Sequence, residues 1–449
     1  MRRDSGPHTD ADARGAVAHV ARTMMGGTYA KRVTVVAGKG HNGDDGRVAA
    51  SWLADWGCQV RVLDADQCTG EFLEPSSIDL VIDAAYGIGF RGEWTPPIVI
   101  GVPVLAVDIP SGLDALDGTA HGGVLVADRT VTFAAPKTGM FLGDGPAVCG
   151  EIDLVDVGID VDAVAPDVFV VESHDVASWL APRDRDAHKW HHGVRAVAGS
   201  PGMGGAAALV AASAMRAGAG IVHLSWRGDA HAVQPPTEVV GRALPAEGWG
   251  TFVASDAARF ASLVIGPGLG RGDDVSAEVR GVLASCDTPA VVDGAGLIGA
   301  IDPAGTHATL KARDAETLLT PHDGEFAMLG GDASDPDRVG ATRRLADATG
   351  CAVLRKGPTT IVADPDGPTW LVVSGDQRLA TAGSGDVLAG IAAAFMARGL
   401  PAAMAGAAAA HVHGLTGAAC ATEGTIARDV VAMLSDVISS ITTGGEHVG

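Results

Sequence analysis

Short apolar runs alternate with longer helical stretches in two separate parts of the chain. In the first part, from about residue 31 to residue 160, the runs are rich in valine and are bounded by glycine or polar residues. Short buried strands separated by helices are typical of βαβ units in a parallel sheet. The strands predicted here are 33–37, 60–63, 80–84, 104–107 and 131–133.

The second part begins near residue 176 and repeats the alternation with helices that are richer in alanine. A chain of 449 residues is longer than one hydrophobic core usually serves, so the two parts are predicted to be separate α/β domains. The predicted linker is 161–174, with a short strand at 168–171. The strands predicted in the second part are 195–198, 220–224, 263–265, 290–292, 352–354 and 360–362, and the helices include 206–217 and 387–397.

The composition argues against two classes of binding partner. The formal net charge is −22 and no run of lysine and arginine interrupts it, which argues against binding to nucleic acid or to an anionic membrane. Lys39, Lys137, Lys189 and Lys356 stand alone beside glycines or other motif residues, an arrangement that suits small phosphorylated ligands. The polar start of the chain does not resemble a signal peptide, so a cytoplasmic location is expected. Six scattered cysteines without a CxxC pair indicate buried free thiols.

The first strand leads into a glycine-rich segment from Gly38 to Gly46, and a helix is predicted from Arg47. The segment contains GxGxxG, whose glycines allow a pyrophosphate to approach the backbone at a helix N-terminus. Asp64 ends the next strand, near the distance at which a ribose-binding acid is expected. The motif alone does not establish a dinucleotide site, because Asp44 and Asp45 would repel phosphate, although they could hold a cation or hydroxyl groups.

Asn42, Asp83 and Asp108 each follow or end a predicted strand of the first part. Because the carboxyl ends of parallel strands meet at one edge of a sheet, these three side chains are expected to converge on a ligand crevice. Any one of them could simply cap a helix or a turn. Three at the same edge favour a functional site.

Three motifs of the first part together resemble the N-terminal domain of the NAD(P)H-hydrate epimerases, which act on hydrated NADH and NADPH. They are Asn-Gly-x-Asp-Gly at 42–46, Asp-Ala-x-x-Gly-x-Gly at 83–89 and Asp-Ile-Pro-Ser-Gly at 108–112. The resemblance covers about residues 31–160. It implies a Rossmann-like three-layer αβα domain over residues 1–165 and a bound potassium ion.

The same resemblance implies roles for individual residues. Asp108 is expected to be catalytic as acid and base, and Asn42, Asp83 and Ser111 are expected to hold potassium. The expected substrate contacts are His41, Asn42, Gly43, Asp44, Asp45, Gly87, Ile88, Gly89, Phe90, Arg91, Gly92, Glu93 and Asp108. Two positions depart from the family pattern, since His41 replaces an asparagine and Asp44 replaces a glycine. The family's opening helix is only partly represented, by residues 16–25.

The strongest motif of the second part runs from Leu379 to Gly390, where small residues lead directly into an apolar helix. Backbone N–H groups at such a helix start form an anion site, and Asp386 can take a proton from a substrate hydroxyl there. This arrangement is typical of phosphoryl transfer without a Walker lysine. The alternative interpretation is a glycine-rich turn in which Asp386 only caps the helix.

Further motifs occur at 204–206, 266–270, 320–325 and 356–360, and their order resembles the ribokinase-like superfamily. More closely, residues 176–440 resemble the ADP-dependent NAD(P)H-hydrate dehydratases, which implies a ribokinase-like αβα domain over 172–449. The resemblance implies catalysis by Asp386 with ADP and Mg²⁺. The expected hydrate contacts are Ala206, Gly268, His322 and Asp386, and the expected nucleotide contacts are Lys356, Gly357, Pro358, Thr359, Thr360 and Gly385. One departure is Ala295, where the family usually has a second aspartate.

Two groups of histidines could suggest metal sites. His188, His191 and His192 match no usual zinc spacing, so a surface loop near the substrate is the favoured interpretation. His411 and His413 lie two residues apart on a predicted helix and face different directions, so packing or polar contacts are expected.

Together the two resemblances predict a bifunctional nicotinamide cofactor repair enzyme. It would interconvert the R and S forms of hydrated NAD(P)H and dehydrate the S form to NAD(P)H, converting ADP to AMP and phosphate. The expected partners are NADHX, NADPHX and ADP, with K⁺ and Mg²⁺ as cofactors, in a homo-oligomer without nucleic acid or membrane contacts. One alternative is a small-molecule or vitamin-precursor kinase with a degenerate N-terminal domain. Another is an N-terminal scaffold or RNA-binding module, although the charge of −22 argues against RNA.

Overall fold

The apolar runs form two large sheets, each with its own buried core. The computed structural model describes residues 2–3 and 10–444, with side chains described from residue 15 onward. The chain divides into two units, Met1–Pro166 and Asp167–Gly449. The division falls inside the segment 161–174 that was predicted as a linker. The strand predicted there is present at Val168–Val170, but it belongs to the sheet of the second unit.

The first unit contains a seven-stranded sheet in which all neighbouring strands are parallel, in the order β1-β9-β8-β7-β5-β2-β3. The strands are β1 (Arg2–Arg3), β2 (Arg32–Ala37), β3 (Gln59–Asp64), β5 (Leu80–Ala84), β7 (Val104–Val107), β8 (Arg129–Phe133) and β9 (Glu151–Val155), with a separate parallel pair β4 (Phe72–Leu73) and β6 (Ile98–Val99). The helices are α1 (Asp10–Met25), α2 (His41–Asp55) and α3 (Gly145–Val148), with 3-10 turns at Thr138–Phe141 and Asp162–Val164.

Alternate residues of the central strands supply two apolar layers, one on each face of this sheet. Val35 and Ile82 pack with Leu53 of α2 on one face. Val36 and Val81 pack with residues of the loops on the other face. The strands are therefore apolar throughout, as expected for a parallel sheet that is covered on both sides.

Helix α2 begins earlier than the sequence analysis predicted. A loop was predicted as far as Gly46 with a helix from Arg47, whereas the helix begins at His41. A Cβ atom on Gly43 would lie 2.0 Å from the carbonyl oxygen of Gly38. The glycine is thus needed for the close approach of the first helical turn to the preceding strand end, and the side chains of this turn are positioned by helical geometry.

The second unit contains a ten-stranded sheet in the order β10-β19-β18-β17-β16-β15-β14-β11-β12-β13. Its neighbours are parallel except at β17/β18 and β18/β19, which are antiparallel. The strands are β10 (Val168–Val170), β11 (Gly193–Val197), β12 (Ile221–Trp226), β13 (Val240–Ala243), β14 (Ser262–Ile265), β15 (Ala290–Val292), β16 (Thr317–Leu319), β17 (Ala352–Arg355), β18 (Thr360–Ala363) and β19 (Thr369–Val372).

The helices of the second unit cover both faces of its sheet in two buried layers. They are α4 (Ser173–Trp179), α5 (Gly204–Arg216), α6 (Trp249–Ala257), α7 (Asp273–Ser285), α8 (Ala295–Gly299), α9 (Ala308–Lys311), α10 (Asp323–Met328), α11 (Arg338–Thr349), α12 (Ser384–Ala397), α13 (Ala402–Ala418) and α14 (Ala427–Thr443), with a 3-10 turn at Gln377–Leu379. The predicted α/β fold class is confirmed for both parts. None of the helices in the described part of the chain combines the length and apolar character that a membrane crossing needs.

The cysteines are free thiols, as predicted, and all except the partly exposed Cys420 are buried. Burial raises the pKa of Cys149 and of Cys351 to about 12. These thiols are therefore packing residues.

Candidate active sites

A cleft of about 760 Å³ lies at the carboxyl edge of the sheet in the first unit. Its walls are the start of α2, the loop after β5 and the ends of β7 and β8. The lining residues are Gly40, His41, Asn42, Asp45, Ala85, Tyr86, Gly87, Ile88, Gly89, Phe90, Arg91, Asp108 and Phe133. These strands are neighbours in the sheet. Of the three polar side chains predicted to converge on a crevice, Asn42 and Asp108 line the cleft, whereas Asp83 is fully buried outside the lining.

Asn42, Asp83 and Ser111, which were predicted to hold potassium, are joined through the backbone of Tyr86. Asn42 Nδ2 donates to the carbonyl oxygen of Tyr86 at 2.9 Å, and the amide of Tyr86 donates to Ser111 Oγ at 2.8 Å. Ser111 donates from Oγ to Asp83 Oδ1 at 2.6 Å and from its backbone nitrogen to Oδ2 at 2.9 Å.

Two features of this group favour a bound cation. Asp83 is fully buried, and burial raises its pKa although the hydrogen bonds from Ser111 and Ala85 act in the opposite direction. Asn42 Oδ1 is buried and has no hydrogen-bond partner among the described residues. Carboxylate and amide oxygens are the ligands that hard cations prefer. The residues present therefore fit the potassium ion that the family resemblance implies.

Asp108 lines the cleft directly after β7, with a backbone φ of +66°. This left-handed conformation is strained for a residue other than glycine, and such strain is concentrated at functional sites. The carboxylate forms an ion pair with Lys137, and the Lys137 ammonium also donates to Thr132 Oγ1 at 2.9 Å. The sequence analysis noted Lys137 only as an isolated cation. Its position just beyond the end of β8, at the same sheet edge, was the available signal.

The cleft contains many but not all of the predicted substrate contacts. Of the predicted residues, the structure places His41, Asn42, Asp45, Asp108 and the loop from Gly87 to Arg91 in the lining, but not Gly43, Asp44, Gly92 or Glu93. Asp44 is instead exposed on α2 and lies 3.4 Å from Arg47. Gly40, Ala85, Tyr86 and Phe133 also line the cleft and were not predicted to do so.

In the second unit, Asp386 lies in the first turn of α12, which begins at Ser384 rather than at the predicted residue 387. Burial, together with the nearby Asp293 carboxylate, raises the pKa of Asp386 to about 6, although Lys356 lowers it. A carboxyl group with this pKa at a helix N-terminus can exchange a proton near neutral pH.

Lys356 lies beside the carboxylates of Asp293 and Asp386. Its Nζ donates to Asp293 Oδ1 at 2.8 Å, and Thr320 Oγ1 donates to the same oxygen at 2.7 Å. Burial alone would lower the pKa of Lys356, but Asp293, Glu325 and Asp386 outweigh it and raise the pKa. Lys356 is therefore charged and close to Asp386. Asp293, which was not predicted as a site residue, belongs to this group.

The remaining predicted contacts lie on neighbouring loops and helix starts. A Cβ atom on Gly268 would lie 2.9 Å from the Ala206 side chain, so these two predicted residues are adjacent. His322 caps α10, and its Nδ1 accepts from the amide of Glu325 at 3.1 Å. A Cβ atom on Gly385 would lie 3.5 Å from Lys356 Nζ. Pro358 and Thr359 lie in the turn before β18, and Thr360 is the first residue of that strand.

Among the described residues, neither of the two groups of histidines belongs to a cluster that could hold a metal ion. His413 Nε2 lies 3.2 Å from Ser384 Oγ at the start of α12, and burial and the Lys356 charge lower the pKa of His413 to about 4. His411 Nε2 lies 3.0 Å from Ser173 Oγ. The placement of His188–His192 near the substrate was wrong. This loop precedes β11, at the amino edge of the sheet, and His192 contacts the carbonyl oxygen of Ala397 at the far end of α12.

Comparisons with known proteins match a different family model to each of the two units. A family model described as NAD(P)H-hydrate dehydratase matches residues 194–442, and one described as YjeF-related protein N-terminus matches 12–73 and 63–139. A bifunctional NAD(P)H-hydrate repair enzyme of Mycobacterium tuberculosis is 39% identical over 402 residues, which cover 84% of this chain and 80% of that protein. The chain belongs to the family of bifunctional NAD(P)H-hydrate repair enzymes.

A second member of the repair-enzyme family is similar over a comparable share of the chain. The protein of Salinibacter ruber is 34% identical, over 89% of this chain and 85% of its own length. Among solved structures, the ADP/ATP-dependent NAD(P)H-hydrate dehydratase of Bacillus subtilis, crystallised with ATP and Mg²⁺, has a TM-score of 0.54 and 26% identity. It covers 61% of this chain and 99% of its own. A ribokinase-like protein of Enterococcus faecalis, with a TM-score of 0.54 and 19% identity over 61% of this chain and 96% of its own, supports the fold alone.

Proposed function

We propose that the protein repairs hydrated NADH and NADPH. The first unit would interconvert the R and S epimers, and the second would dehydrate the S epimer with ADP as phosphoryl donor. The observation that best supports dehydration is the Asp386 carboxyl group, with a pKa of about 6, at the N-terminus of α12 beside the Lys356–Asp293 pair. Family membership supports both activities.

In the proposed dehydration, the Asp386 carboxylate takes the proton of the substrate hydroxyl, whose oxygen then accepts the β-phosphoryl group of ADP. AMP is the other product of this step. The C–O bond then breaks with phosphate as leaving group, since the ring nitrogen supplies an electron pair. Loss of a proton from the adjacent ring carbon restores NAD(P)H. The backbone N–H groups at the start of α12 stabilise the negative phosphoryl oxygens.

In this proposal Lys356 acts on both Asp386 and the nucleotide. Its charge favours the ionised form of Asp386 and attracts the phosphates of the nucleotide, while the contact with Asp293 fixes its position. The other proposed nucleotide contacts are Gly357, Pro358, Thr359, Thr360 and Gly385. Mg²⁺ would neutralise charge on the nucleotide and be held mainly by its phosphates. The described residues contain no group of three or more acidic, histidine or cysteine side chains placed to hold a metal ion.

In the proposed epimerisation, the protonated form of Asp108 gives its proton to the hydroxyl of the hydrate, which leaves as water. The ring nitrogen stabilises the resulting cation, and water returns to the other face while Asp108 takes back a proton. The rings of Tyr86 and Phe90, with centroids 4.2 Å apart, form an apolar wall of the cleft. Such a wall suits a nicotinamide ring and limits access of bulk water.

A potassium ion would be held by Asn42, Asp83 and Ser111 and would fix the backbone of Tyr86 at the wall of the cleft. Exchanging K⁺ for Li⁺ or tetramethylammonium should slow epimerisation and leave dehydration of the S epimer unchanged. Equal epimerisation rates in all three salts would rule out a potassium requirement. We further propose a cytoplasmic homo-oligomer, and light scattering that gives the mass of a single chain would contradict the oligomer.

The decisive experiment follows the near-ultraviolet absorbance of NADH with purified protein, a mixture of both NADH hydrate epimers, Mg²⁺, K⁺ and ADP. Recovery of the whole pool faster than spontaneous epimer mixing would support both activities. Recovery of one epimer followed by a slow phase would mean that the first site is inactive. A stable phosphorylated product without NADH would favour the kinase alternative, and no recovery with ADP or ATP would reject the repair function.

A further inference from the structure

The contacts of Asp108 are all on one side of its carboxylate. Oδ1 accepts from Lys137 Nζ and, at 3.4 Å each, from Thr132 Oγ1 and the amide of Phe133. Among the described residues no donor contacts Oδ2. Because Asp108 lines the cleft, Oδ2 is the oxygen available to a substrate hydroxyl.

Lys137 holds this arrangement without being part of the cleft lining. Its ammonium group has three acceptors, which are Asp108 Oδ1, Thr132 Oγ1 at 2.9 Å and the carbonyl oxygen of Phe133 at 3.3 Å. Three acceptors use all three protons of the ammonium group, so its direction is fixed. Only 15% of the Lys137 side chain and 18% of the Asp108 side chain is exposed. The pair is thus stronger than a solvent-exposed ion pair, although it is close to the cleft.

The backbone at Asp108 and the backbone at Lys137 both support this geometry. Asp108 has a left-handed φ of +66°, and Lys137 is the residue that precedes the 3-10 turn Thr138–Phe141. A Cβ atom on Gly139 of that turn would lie 2.0 Å from the carbonyl oxygen of Asp114, so the turn is packed against its neighbour. The lysine therefore extends from a fixed point, and the carboxylate is held at a strained one.

We infer that Lys137 is a positioning residue for epimerisation, which fixes the Asp108 carboxylate so that Oδ2 faces the hydroxyl of the hydrate. The inference rests on the proposed epimerase function of the first unit. Lys137 does not touch the substrate. It acts through Asp108, by holding the carboxylate in one orientation.

The test compares three variants of the full chain, Lys137→Met, Lys137→Arg and the control Lys31→Met. Lys31 precedes β2 at the amino edge of the same sheet, so its loss removes the same charge away from the cleft. Epimer exchange is measured without ADP, by chromatographic separation of the two epimers. Circular dichroism and thermal unfolding report whether each variant is folded, and dehydration of purified S epimer with ADP reports the second unit of the same protein.

We expect Lys137→Met to lower kcat for epimerisation by about 10- to 100-fold, with KM nearly unchanged. This is at or below the lower end of what general acid–base catalysis contributes, because Asp108 itself is still present. Lys137→Arg should recover most of the loss, and Lys31→Met should match the wild type. Thr132→Val, which keeps the ion pair and removes one acceptor of Lys137, should cause a smaller fall in kcat and serves if Lys137→Met does not fold.

Unchanged kcat in Lys137→Met, or in Thr132→Val where that variant replaces it, would overturn the inference. A rise in KM with kcat preserved would also overturn it, because Lys137 would then bind substrate directly. A wild-type protein that fails to exchange the epimers, while still dehydrating the S form, would instead overturn the proposed epimerase function.

Discussion

The two candidate sites use the same kinds of side chain, an aspartate and a lysine, in different ways. In the first unit Lys137 contacts Asp108 directly. In the second unit Lys356 contacts Asp293, and Asp386 stands beside that pair with a pKa raised to about 6 by burial and by Asp293. The two proposed catalytic aspartates therefore differ in one respect. The neighbouring lysine contacts the proposed catalytic group in the first unit, and a different carboxylate in the second.

This difference matches the two proposed reactions. A base that accepts a proton during phosphoryl transfer works best when its pKa is close to the working pH, as for Asp386. A carboxylate that must face a hydroxyl on one carbon of a ring needs a defined orientation, which the contacts of Asp108 Oδ1 supply. The predictions that follow separate these two roles, beginning with the largest expected effect.

Asp386→Asn should lower dehydration of the S epimer by about 10²- to 10⁴-fold, because the base is removed, and should leave epimer exchange intact. Both rates are measured on the same preparation with purified epimers. Asp366→Asn, in the exposed turn between β18 and β19, is the matched control and should behave as wild type. Normal dehydration by Asp386→Asn would remove Asp386 from the mechanism.

Asp108→Ala should lower epimer exchange by about 100-fold, the lower end of an acid–base contribution, since the hydrates also exchange spontaneously. Dehydration of purified S epimer should be unaffected. The measurement follows the slow phase of NADH recovery from a mixed pool. Wild-type exchange in this variant would mean that the first unit has a binding or scaffold role without catalysis.

The pH dependence of dehydration tests the environment of Asp386. Because its pKa is raised to about 6, the carboxyl group is protonated below that pH and cannot act as a base. The rate should therefore fall as pH decreases through about 6 and be level above it.

Lys356→Met should move this acid limb to higher pH, since Lys356 lowers the pKa of Asp386. The profile is measured at saturating ADP so that weaker nucleotide binding does not change it. Lys189→Met, in the exposed loop before β11, should keep the wild-type profile. A shift to lower pH in Lys356→Met would contradict the assigned environment.

Gly268→Ala should have the smallest effect and should act on the second unit alone. Gly268 has a φ of +65°, and a Cβ atom there would lie 2.9 Å from the Ala206 side chain. We expect a loss of about 1–2 kcal/mol in the free energy of unfolding and a higher KM for the hydrate. Gly281→Ala, in open space on α7, should instead add about 0.5–1 kcal/mol. Thermal unfolding of both variants checks the contrast.

Most strands of the two large sheets could be predicted from the sequence, because they are buried on both faces and consist of continuous apolar runs. Four strands of three or more residues in the described part of the chain were missed, and they have other features. Val240–Ala243 is a largely exposed edge strand, and Glu151–Val155 is polar at alternate positions. Thr317–Leu319 is only three residues long, and Thr369–Val372 begins after a turn and contains a tryptophan. Val240–Ala243 lies at the edge of its sheet and lacks the two-sided burial that makes other strands easy to recognise.

The residues of the sites were easier to place than their contacts. Asp83 lies near the end of a strand, Asp108 directly follows one and Asp386 lies in the first turn of an apolar helix, so their positions follow from topology. Which lysine contacts which carboxylate depends on loops such as the one that carries Lys137, and no periodic pattern describes them. The His188–His192 loop was misplaced because its motif was considered without asking on which edge of the sheet β11 begins.

The early start of α2 has a consequence for insertions and deletions. Within a loop, one added residue is absorbed by local rearrangement, but within a helix it rotates everything beyond it by about 100° and shifts it by about 1.5 Å. A residue inserted between Asn42 and Asp45 would therefore turn one of these side chains out of the cleft. Changes in chain length should be tolerated beyond Asp55, where α2 ends, and not in its first turn.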